Sequence, residues 1–262
     1  SAFLFVCVIA YICSAKVVCC SIHGKVGGGY AKKFVYDKVL SRFDFVYCTG
    51  LAEYNFLKKD VKPKTDLYWQ PSGIDPVFSE QKLQNLDFEC YDIVNVGSLL
   101  AVKNQKLFID VASTLPHLKF AIAGDGPLRS ELEDYIRSKS VSNVTLLGQL
   151  SAKEVSYLLT NSKIFLLTSY TEGTSTAMLE AMALSKVVIT TNSNDYSELL
   201  GANENGIVIN SFDSEIIANK ISNILIDTFT YTDIGKRANL KAQGFLWGSV
   251  ADKISSWMNH YG

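Results

Sequence analysis

Short apolar runs alternate with longer amphipathic stretches along most of the chain. From Tyr91 onward six apolar runs are each followed by apolar positions at helical spacing, and the runs are YDIVNVG, LKFAIAG, NVTLLG, IFLLTS, VVITT and GIVIN. Runs of this kind are typical of strands that are buried on both faces of a parallel sheet. The pattern therefore predicts an α/β fold with a doubly wound parallel sheet, whose ligands bind at the carboxyl ends of the strands.

The first 75 residues show the same alternation over a shorter length. The predicted strands are KVVCCSIH, DFVYCTG and TDLYWQP, with helices at YAKKFVYDKVLSRF and LAEYNFLKK between them. A segment rich in turn-forming residues, PSGIDPVFSEQKLQN, then separates two halves. The predicted organisation is a thin Rossmann-like domain at 1–75, a linker at 76–90, a second domain at 91–245 and a terminal helix at 246–262 that packs back toward the first domain.

Composition narrows the choice of function only slightly. The chain has 262 residues, 48% of them hydrophobic, and a net charge of −1, which gives no indication of a nucleic-acid partner. All 6 cysteines lie in the first 90 residues without a CxxC pair, which favours buried reduced thiols of a cytoplasmic protein. The apolar run from Ala2 to Cys13 is shorter than the roughly 20 residues that span a bilayer. It also lacks the basic residues of a signal peptide, so it is interpreted as a buried helix or strand.

Two glutamates flank a predicted helix start in SYTEGTSTAMLEAMALSKVVITT. Glu172 lies in the turn, and Glu180 follows on a helix expected to begin near Thr174 or Ser175. Free N–H groups at a helix start bind phosphate, and Gly173 lets a ligand approach the backbone. Two carboxylates around an anion site suit a nucleotide sugar, which carries hydroxyls at both ends and phosphate in the middle. From spacing alone, a capped amphipathic helix with two solvated glutamates is the alternative.

The motif and its neighbours resemble the group 1 glycosyltransferases, whose GT-B fold has two Rossmann-like domains. EGTSTAMLEAMALSKVVI is similar to the donor-site signature of that family, in which two glutamates precede an EAMA helix. Other segments resemble family units in the same order, namely SIHG, FDFVYCTG, QPSGID, VNVGSLLAVKNQKLFIDVA, AIAGDGPLRSELE, VTLLGQLSAKEVSYLL and SKIFLLTS. The resemblance covers nearly the whole chain. It implies a first domain that is incomplete here, because the family's first domain begins with a glycine-rich loop and several βα units upstream of the segment matched by Ser1.

The resemblance also implies roles for particular residues. Glu172 is expected to contact the transferred sugar, Glu180 the ribose of the nucleotide, Lys103 the diphosphate, and His23 the transferring sugar from the first domain. The other residues expected at the donor are Gly97, Ser98, Gly124, Gly126, Gly173, Thr174 and Ser175. A surface lysine and a histidine held in a turn are the alternatives for Lys103 and His23. No metal and no cofactor besides the donor substrate is expected.

Several positions depart from the family pattern. Ser98 stands where the family usually has an arginine, so one of two cations expected at the leaving diphosphate is missing. Lys106 is close in sequence, but on a helix it would point to a different face. Ser185 and Val187 replace the usual glycine and proline after EAMA, and Asn194 stands where glycine is common. These changes are expected to affect activity rather than the fold.

Three functions stay open at this point. The first is a retaining glycosyltransferase that uses a nucleotide-sugar donor and a sugar or lipid-linked acceptor in cell-surface polysaccharide or glycolipid biosynthesis. The second is a nucleotide-sugar epimerase of the same fold, and the third is a non-catalytic donor-binding fragment. Residues 24–64 carry nine Lys and Arg against four acidic residues, a balance that is compatible with peripheral contact of a cytoplasmic protein with the inner membrane face. An ordinary solvated helix is the alternative there.

Overall fold

A computed structural model of the chain describes residues 17–20, 45–61, 66–79, 89–191, 196–201 and 203–261. The predictions for the opening apolar run, His23, the helix at 30–43 and Asn194 lie outside these residues. Contacts divide the chain into two units. The smaller unit comprises 1–73, 172–176 and 247–262, and the larger unit comprises 74–171 and 177–246. The domain limits proposed above stay a prediction.

The smaller unit contains a three-stranded parallel sheet with the strands in the order in which they occur along the chain. The strands are β1 (Val17–Cys20), β2 (Phe45–Cys48) and β3 (Asp66–Trp69). Helix α1 (Leu51–Phe56) follows β2 and continues into a single π-helical segment at Leu57–Val61. All three strands coincide with predicted apolar runs.

The larger unit is built on a six-stranded parallel sheet in the spatial order β6-β5-β4-β7-β8-β9. Its strands are β4 (Ile93–Val96), β5 (Phe120–Ala123), β6 (Val144–Gly148), β7 (Ile164–Leu167), β8 (Val187–Thr191) and β9 (Ile207–Ile209). The order reverses at β4, from which one half of the sheet extends through β5 and the other through β7. Such a switch point is where a doubly wound sheet opens a crevice for ligands at its carboxyl edge.

Helices follow every strand of this sheet and cover its faces. They are α2 (Gln105–Thr114), α3 (Arg129–Ser138), α4 (Ala152–Thr160), α5 (Thr176–Ala183), α6 (Ser197–Leu200), α7 (Ser214–Ile226) and α8 (Thr228–Ala242). Phe108 of α2 packs edge-on against Phe120 of β5, with ring centroids 5.4 Å apart, and both side chains are fully buried. The alternation of strand and helix predicted from Tyr91 onward is confirmed.

The predictions failed for helix α8 and for one cysteine. The sequence TFTYT at the start of α8 is rich in residues that favour strands, and no helix was predicted there. The Asp227 carboxylate accepts a hydrogen bond from the Thr230 N–H at 3.0 Å and thereby caps the helix. Cys48 is buried as predicted, whereas Cys90 is exposed, so the expectation of buried thiols is wrong for that residue.

The last helix, α9 (Trp247–Tyr261), belongs to the smaller unit. Its Trp257 ring lies 4.7 Å from the Tyr68 ring of β3 and 6.4 Å from the Tyr47 ring of β2, measured between centroids. Within the described residues no helix combines the length and the apolar character that crossing a membrane requires.

Candidate functional site

The loops that follow β4, β5 and β6 are joined to one another at the carboxyl edge of the larger unit's sheet. The Gly97 N–H donates to the Ala123 carbonyl at 2.9 Å, and the Gly124 N–H donates to the Gly148 carbonyl at 2.7 Å. These bonds hold the three loop backbones together on the β5 side of the point where the strand order reverses. The expected crevice of a doubly wound sheet is therefore lined by glycine-rich backbone.

Two of the predicted glycines are required by this close packing. Gly124 has φ +138°, and a Cβ there would lie 2.0 Å from the Gly97 carbonyl oxygen. A Cβ on Gly126 would lie 2.7 Å from the Leu99 carbonyl oxygen. Neither position accepts a side chain without a shift of the backbone. Packing alone accounts for both glycines, so their presence is not by itself evidence for a ligand.

A cavity of about 190 Å³ opens among these loops. It is lined by the predicted residues Gly97, Ser98 and Gly124, by the ends of β4 and β5, and by Gln149, Leu150 and Val155. Ser98 is exposed, and its carbonyl accepts a hydrogen bond from Gln105 Nε2 at 3.0 Å. No signal in the sequence had indicated Gln149 or Leu150, which follow β6 directly.

Lys103 lies beside this glycine loop, whereas Lys106 does not. The Lys103 Cε lies 3.8 Å from the point that a Cβ on Gly97 would occupy. Lys106 instead forms an ion pair with Glu131 of α3, with Nζ 2.6 Å from Oε1. The expectation that the two lysines point to different faces is therefore confirmed.

The turn that carries Lys103 is fixed to the end of β7. The Thr168 hydroxyl lies 3.2 Å from the Lys103 carbonyl and 3.0 Å from the Asn104 carbonyl, and the Tyr170 N–H donates to the Val102 carbonyl at 2.8 Å. Asn104 adopts φ +51°, a left-handed conformation that asparagine tolerates better than most residues. Nothing in the sequence had indicated the role of Thr168, because the contact joins residues that are 65 positions apart.

Glu180 is half-buried on α5, in the larger unit. Burial, and after it the negative charge of Asp75, raises the pKa of the Glu180 carboxyl from 4.5 to about 7. Within the described ranges, no residue donates a hydrogen bond to this carboxyl group. Burial without hydrogen-bond donors destabilises the ionised form of a carboxyl group. A ligand whose hydroxyl groups donate hydrogen bonds to it would stabilise that form. Asp75, the last residue of the predicted first domain at 1–75, was not predicted to take part.

The segment 172–176 groups with the smaller unit. The Thr174 hydroxyl donates to the Thr49 carbonyl at 3.2 Å, and Ser175 is buried. Helix α5 begins at Thr176, slightly later than the predicted start at Thr174 or Ser175. The Thr174 side chain is therefore hydrogen-bonded to the loop after β2.

Glu172 and Gly173 occupy the same segment. Glu172 is half-buried, so it does not project into bulk solvent. A Cβ on Gly173 would meet no atom of the described residues within 4 Å. Unlike Gly124, this glycine is therefore not required by packing against the described part of the chain, which leaves open space beside it.

The predicted residues thus fall into two groups. The larger unit holds Gly97, Ser98, Lys103, Gly124, Gly126 and Glu180, and the smaller unit holds Glu172, Gly173, Thr174 and Ser175. Among the residues that the structure describes, no cluster of three or more His, Cys, Asp or Glu side chains is arranged to hold a metal ion. The group in the larger unit thus combines a cation, a glycine-rich loop whose backbone is partly exposed, and a half-buried carboxyl.

The family model described as Glycosyl transferases group 1 matches residues 80–242, well over half of the chain. The chain belongs to this family. Sulfoquinovosyl transferase SQD2 of Arabidopsis thaliana is 25% identical over 189 residues, which cover 70% of this chain and 36% of the relative. One subunit of the human phosphatidylinositol N-acetylglucosaminyltransferase is 33% identical over 139 residues, covering 51% of this chain and 28% of the relative.

A third relative is the Campylobacter jejuni enzyme named GalNAc-alpha-(1->4)-GalNAc-alpha-(1->3)-diNAcBac-PP-undecaprenol alpha-1,4-N-acetyl-D-galactosaminyltransferase. It is 27% identical over 175 residues, which cover 64% of this chain and 48% of the relative. The chain therefore spans less than half the length of each of these three curated relatives.

Solved structures of glycosyltransferases share the fold. Anabaena Alr3699/HepE in complex with UDP superposes with a TM-score of 0.82 at 19% identity, covering 99% of this chain and 76% of that structure. Sucrose-phosphate synthase from Thermosynechococcus elongatus gives a TM-score of 0.80 at 17% identity, covering 99% and 72%. The predicted α/β fold of the GT-B type is confirmed.

Proposed function

We propose that the larger unit binds the diphosphate of a nucleotide sugar at its carboxyl edge, and that the chain is the donor-binding part of a retaining glycosyltransferase. The observation that carries this proposal is the position of Lys103, which sets a positive charge beside the glycine loop at Gly97. Nucleotides bind at such edges because glycine lets the backbone approach phosphate oxygens. Membership of the group 1 family supports the same assignment.

Lys103 would act on the leaving group. During transfer the bond between the anomeric carbon and the phosphate oxygen breaks, a bond from that carbon to the acceptor oxygen forms, and negative charge grows on the departing diphosphate. A fixed cation stabilises that charge most strongly when water is excluded. With retention, the acceptor approaches the face that the phosphate leaves, and the leaving phosphate oxygen takes the acceptor's proton.

The two glutamates would hold the hydroxyl-rich ends of the donor. Ribose hydroxyls would supply the hydrogen-bond donors that the described surroundings of Glu180 lack. Glu172 would contact the transferred sugar, and the open space beside Gly173 leaves room for that sugar to approach the backbone. These roles come from the family resemblance, and the burial of both carboxylates is compatible with them.

Names of related proteins indicate which probes to try first. Solved neighbours are complexes with UDP, with UDP and glucose, and with UDP-glucose. The names of two relatives contain phosphatidylinositol and PP-undecaprenol. We therefore propose UDP as the first nucleotide to test and a lipid-linked acceptor, in glycolipid or polysaccharide synthesis at the cytoplasmic face of a membrane.

The test is calorimetric titration of UDP, GDP and ADP into the chain, into Lys103→Ala and into Lys106→Ala. We expect one nucleotide to bind, Lys103→Ala to weaken it about tenfold, and Lys106→Ala to behave as the parent chain. Donor hydrolysis with and without Glu172→Gln then separates the functions. Sugar release that needs Glu172 supports the transferase, binding without turnover supports a donor-binding fragment, and equal binding by both lysine variants contradicts the assigned site.

A further inference from the structure

A second cavity of about 250 Å³ lies in the larger unit, between the loop after β4, helices α2 and α3, and the turn after β7. Its apolar wall comes from Leu100, Leu128 and Leu132. Among the described residues, it shares no lining residue with the cavity at the glycine loops. It is therefore a separate feature of the surface, and the proposed donor site does not account for it.

Gln105 lines this cavity and carries an unsatisfied hydrogen-bond acceptor. The residue is only 1% exposed, and its Nε2 donates to the Ser98 carbonyl at 3.0 Å. Its Oε1 is buried and has no hydrogen-bond partner among the described residues. Buried amide oxygens are nearly always paired with a donor, and leaving one unpaired costs stability. The unpaired acceptor favours binding of a hydrogen-bond donor, from a ligand or an ordered water, which reaches the oxygen once the side chain turns toward the cavity.

The charged part of the cavity's lining is an ion pair between Lys106 and Glu131, and its carboxylate can accept further hydrogen bonds. Glu131 Oε1 lies 2.6 Å from Lys106 Nζ, and about half of each side chain is exposed. Lys106 Nζ also lies 5.2 Å from the centre of the Tyr135 ring, which orients it further. The pair has no net charge, so it does not favour a free anion or cation. The second carboxylate oxygen of Glu131 can still accept from hydroxyl groups.

An exposed aromatic ring completes the lining. Tyr170 is 56% exposed, and its ring lies 5.3 Å from the ring of Phe212, which is 45% exposed. Leu100, which lines the same cavity as Tyr170, is 41% exposed. A cavity lined by apolar groups together with a few polar acceptors is typical of ligand sites rather than of ordinary surface.

We propose that this cavity is a carbohydrate site that takes one pyranose ring, apart from the nucleotide sugar. A pyranose ring presents C–H groups that pack on an aromatic face and hydroxyls that donate to amide and carboxylate oxygens. The volume is below the roughly 300 Å³ at which pockets for drug-sized ligands begin, which suits a single ring. The site stands independently of sugar transfer, because its residues are not those of the proposed donor site.

The test follows the Gln105 side-chain amide by ¹H–¹⁵N NMR in the whole chain during titration with methyl α-D-glucopyranoside, methyl α-D-galactopyranoside and methyl N-acetyl-α-D-glucosaminide. We expect saturable shifts with at least one glycoside, at a dissociation constant of about 1 mM. Glu131→Gln and Tyr170→Ala should each weaken binding about tenfold. Their matched controls are Glu133→Gln, on the same helix and also ion-paired, and Phe229→Ala, which is 82% exposed on α8; both should bind as the parent chain does.

Two results would overturn the proposal. The first is the absence of saturable shifts with all three glycosides, which leaves an ordered water as the only occupant. The second is equal binding by the parent chain, Glu131→Gln and Tyr170→Ala, with unchanged circular dichroism in both variants. UDP titration of the same samples keeps this test apart from the proposed function. Loss of UDP binding in every protein contradicts the donor site and leaves the glycoside result standing.

Discussion

Replacing Glu180 by glutamine should stabilise the chain at high pH while weakening nucleotide binding. Burial first, and the charge of Asp75 second, raise the pKa of this carboxyl to about 7 in the folded chain, against an ordinary value of 4.5. Between these two pH values the folded state binds more protons than the unfolded state. Stability therefore falls as pH rises through this window, and the full penalty is present above pH 7.

The magnitude follows from the size of the shift. The rise from 4.5 to about 7 corresponds to a ceiling of about 3 kcal/mol, at 1.36 kcal/mol for each pKa unit. Because the side chain is only half-buried, water reduces this, and we expect about 2 kcal/mol. Glu180→Gln should match the parent chain near pH 4, where the carboxyl is protonated in both states. At pH 8 it should be about 2 kcal/mol more stable.

The assay is urea unfolding of both proteins at several pH values between 4 and 8, beside UDP titration at pH 8. Glu133→Gln is the control, because this exposed carboxylate pairs with Arg129 at 3.0 Å and is not part of the proposed site. The reasoning is refuted if the stability difference between Glu180→Gln and the parent chain does not change with pH. If Glu180→Gln gains stability and loses UDP affinity, the Glu180 carboxylate contributes to nucleotide binding and destabilises the folded chain.

Three further predictions concern the loops of the larger unit and the segment after β7. Lys103→Ala should lower UDP affinity about tenfold while Lys106→Ala leaves it unchanged, as calorimetry will show; the reverse order contradicts the site. Ser185→Gly should raise the free energy of unfolding, measured in urea, by about 1 kcal/mol, because Ser185 has φ +59° and only glycine adopts that conformation without strain. An unchanged free energy of unfolding would refute this prediction. Gly124→Ala should destabilise the chain by about 3 kcal/mol, because its Cβ would meet a carbonyl oxygen at 2.0 Å. Gly173→Ala, whose Cβ would meet no atom of the described residues within 4 Å, should keep the same urea midpoint and bind UDP-glucose, which carries the transferred sugar, more weakly.

Short-range patterns in the sequence were sufficient to predict the sheet. Val187–Thr191 is buried at every position, and so is Ile164–Leu167, which is why continuous apolar runs identified these strands. Helix α8 was missed because Thr and aromatic residues in its first turn favour strands, while a single Asp227 cap and packing of the helix decide the outcome. Local preference is weak where tertiary contacts are strong.

Contacts at the site between residues far apart in the chain could not be predicted from one sequence. Thr174 donates to the carbonyl of Thr49, 125 positions away, which fixes its side chain before α5 begins. The electrostatic effect of Asp75 on Glu180 likewise joins distant parts of the chain. Such pairs leave no spacing pattern, so a sequence identifies the residue types but not the neighbours that shift their pKa values.

The most direct test of the central claim is a crystal structure of the chain with UDP. The account predicts the diphosphate beside Gly97 with an oxygen within hydrogen-bond reach of Lys103 Nζ, and the ribose hydroxyls donating to Glu180. A nucleotide bound elsewhere, with no atom within hydrogen-bond reach of Lys103 or Glu180, would contradict it.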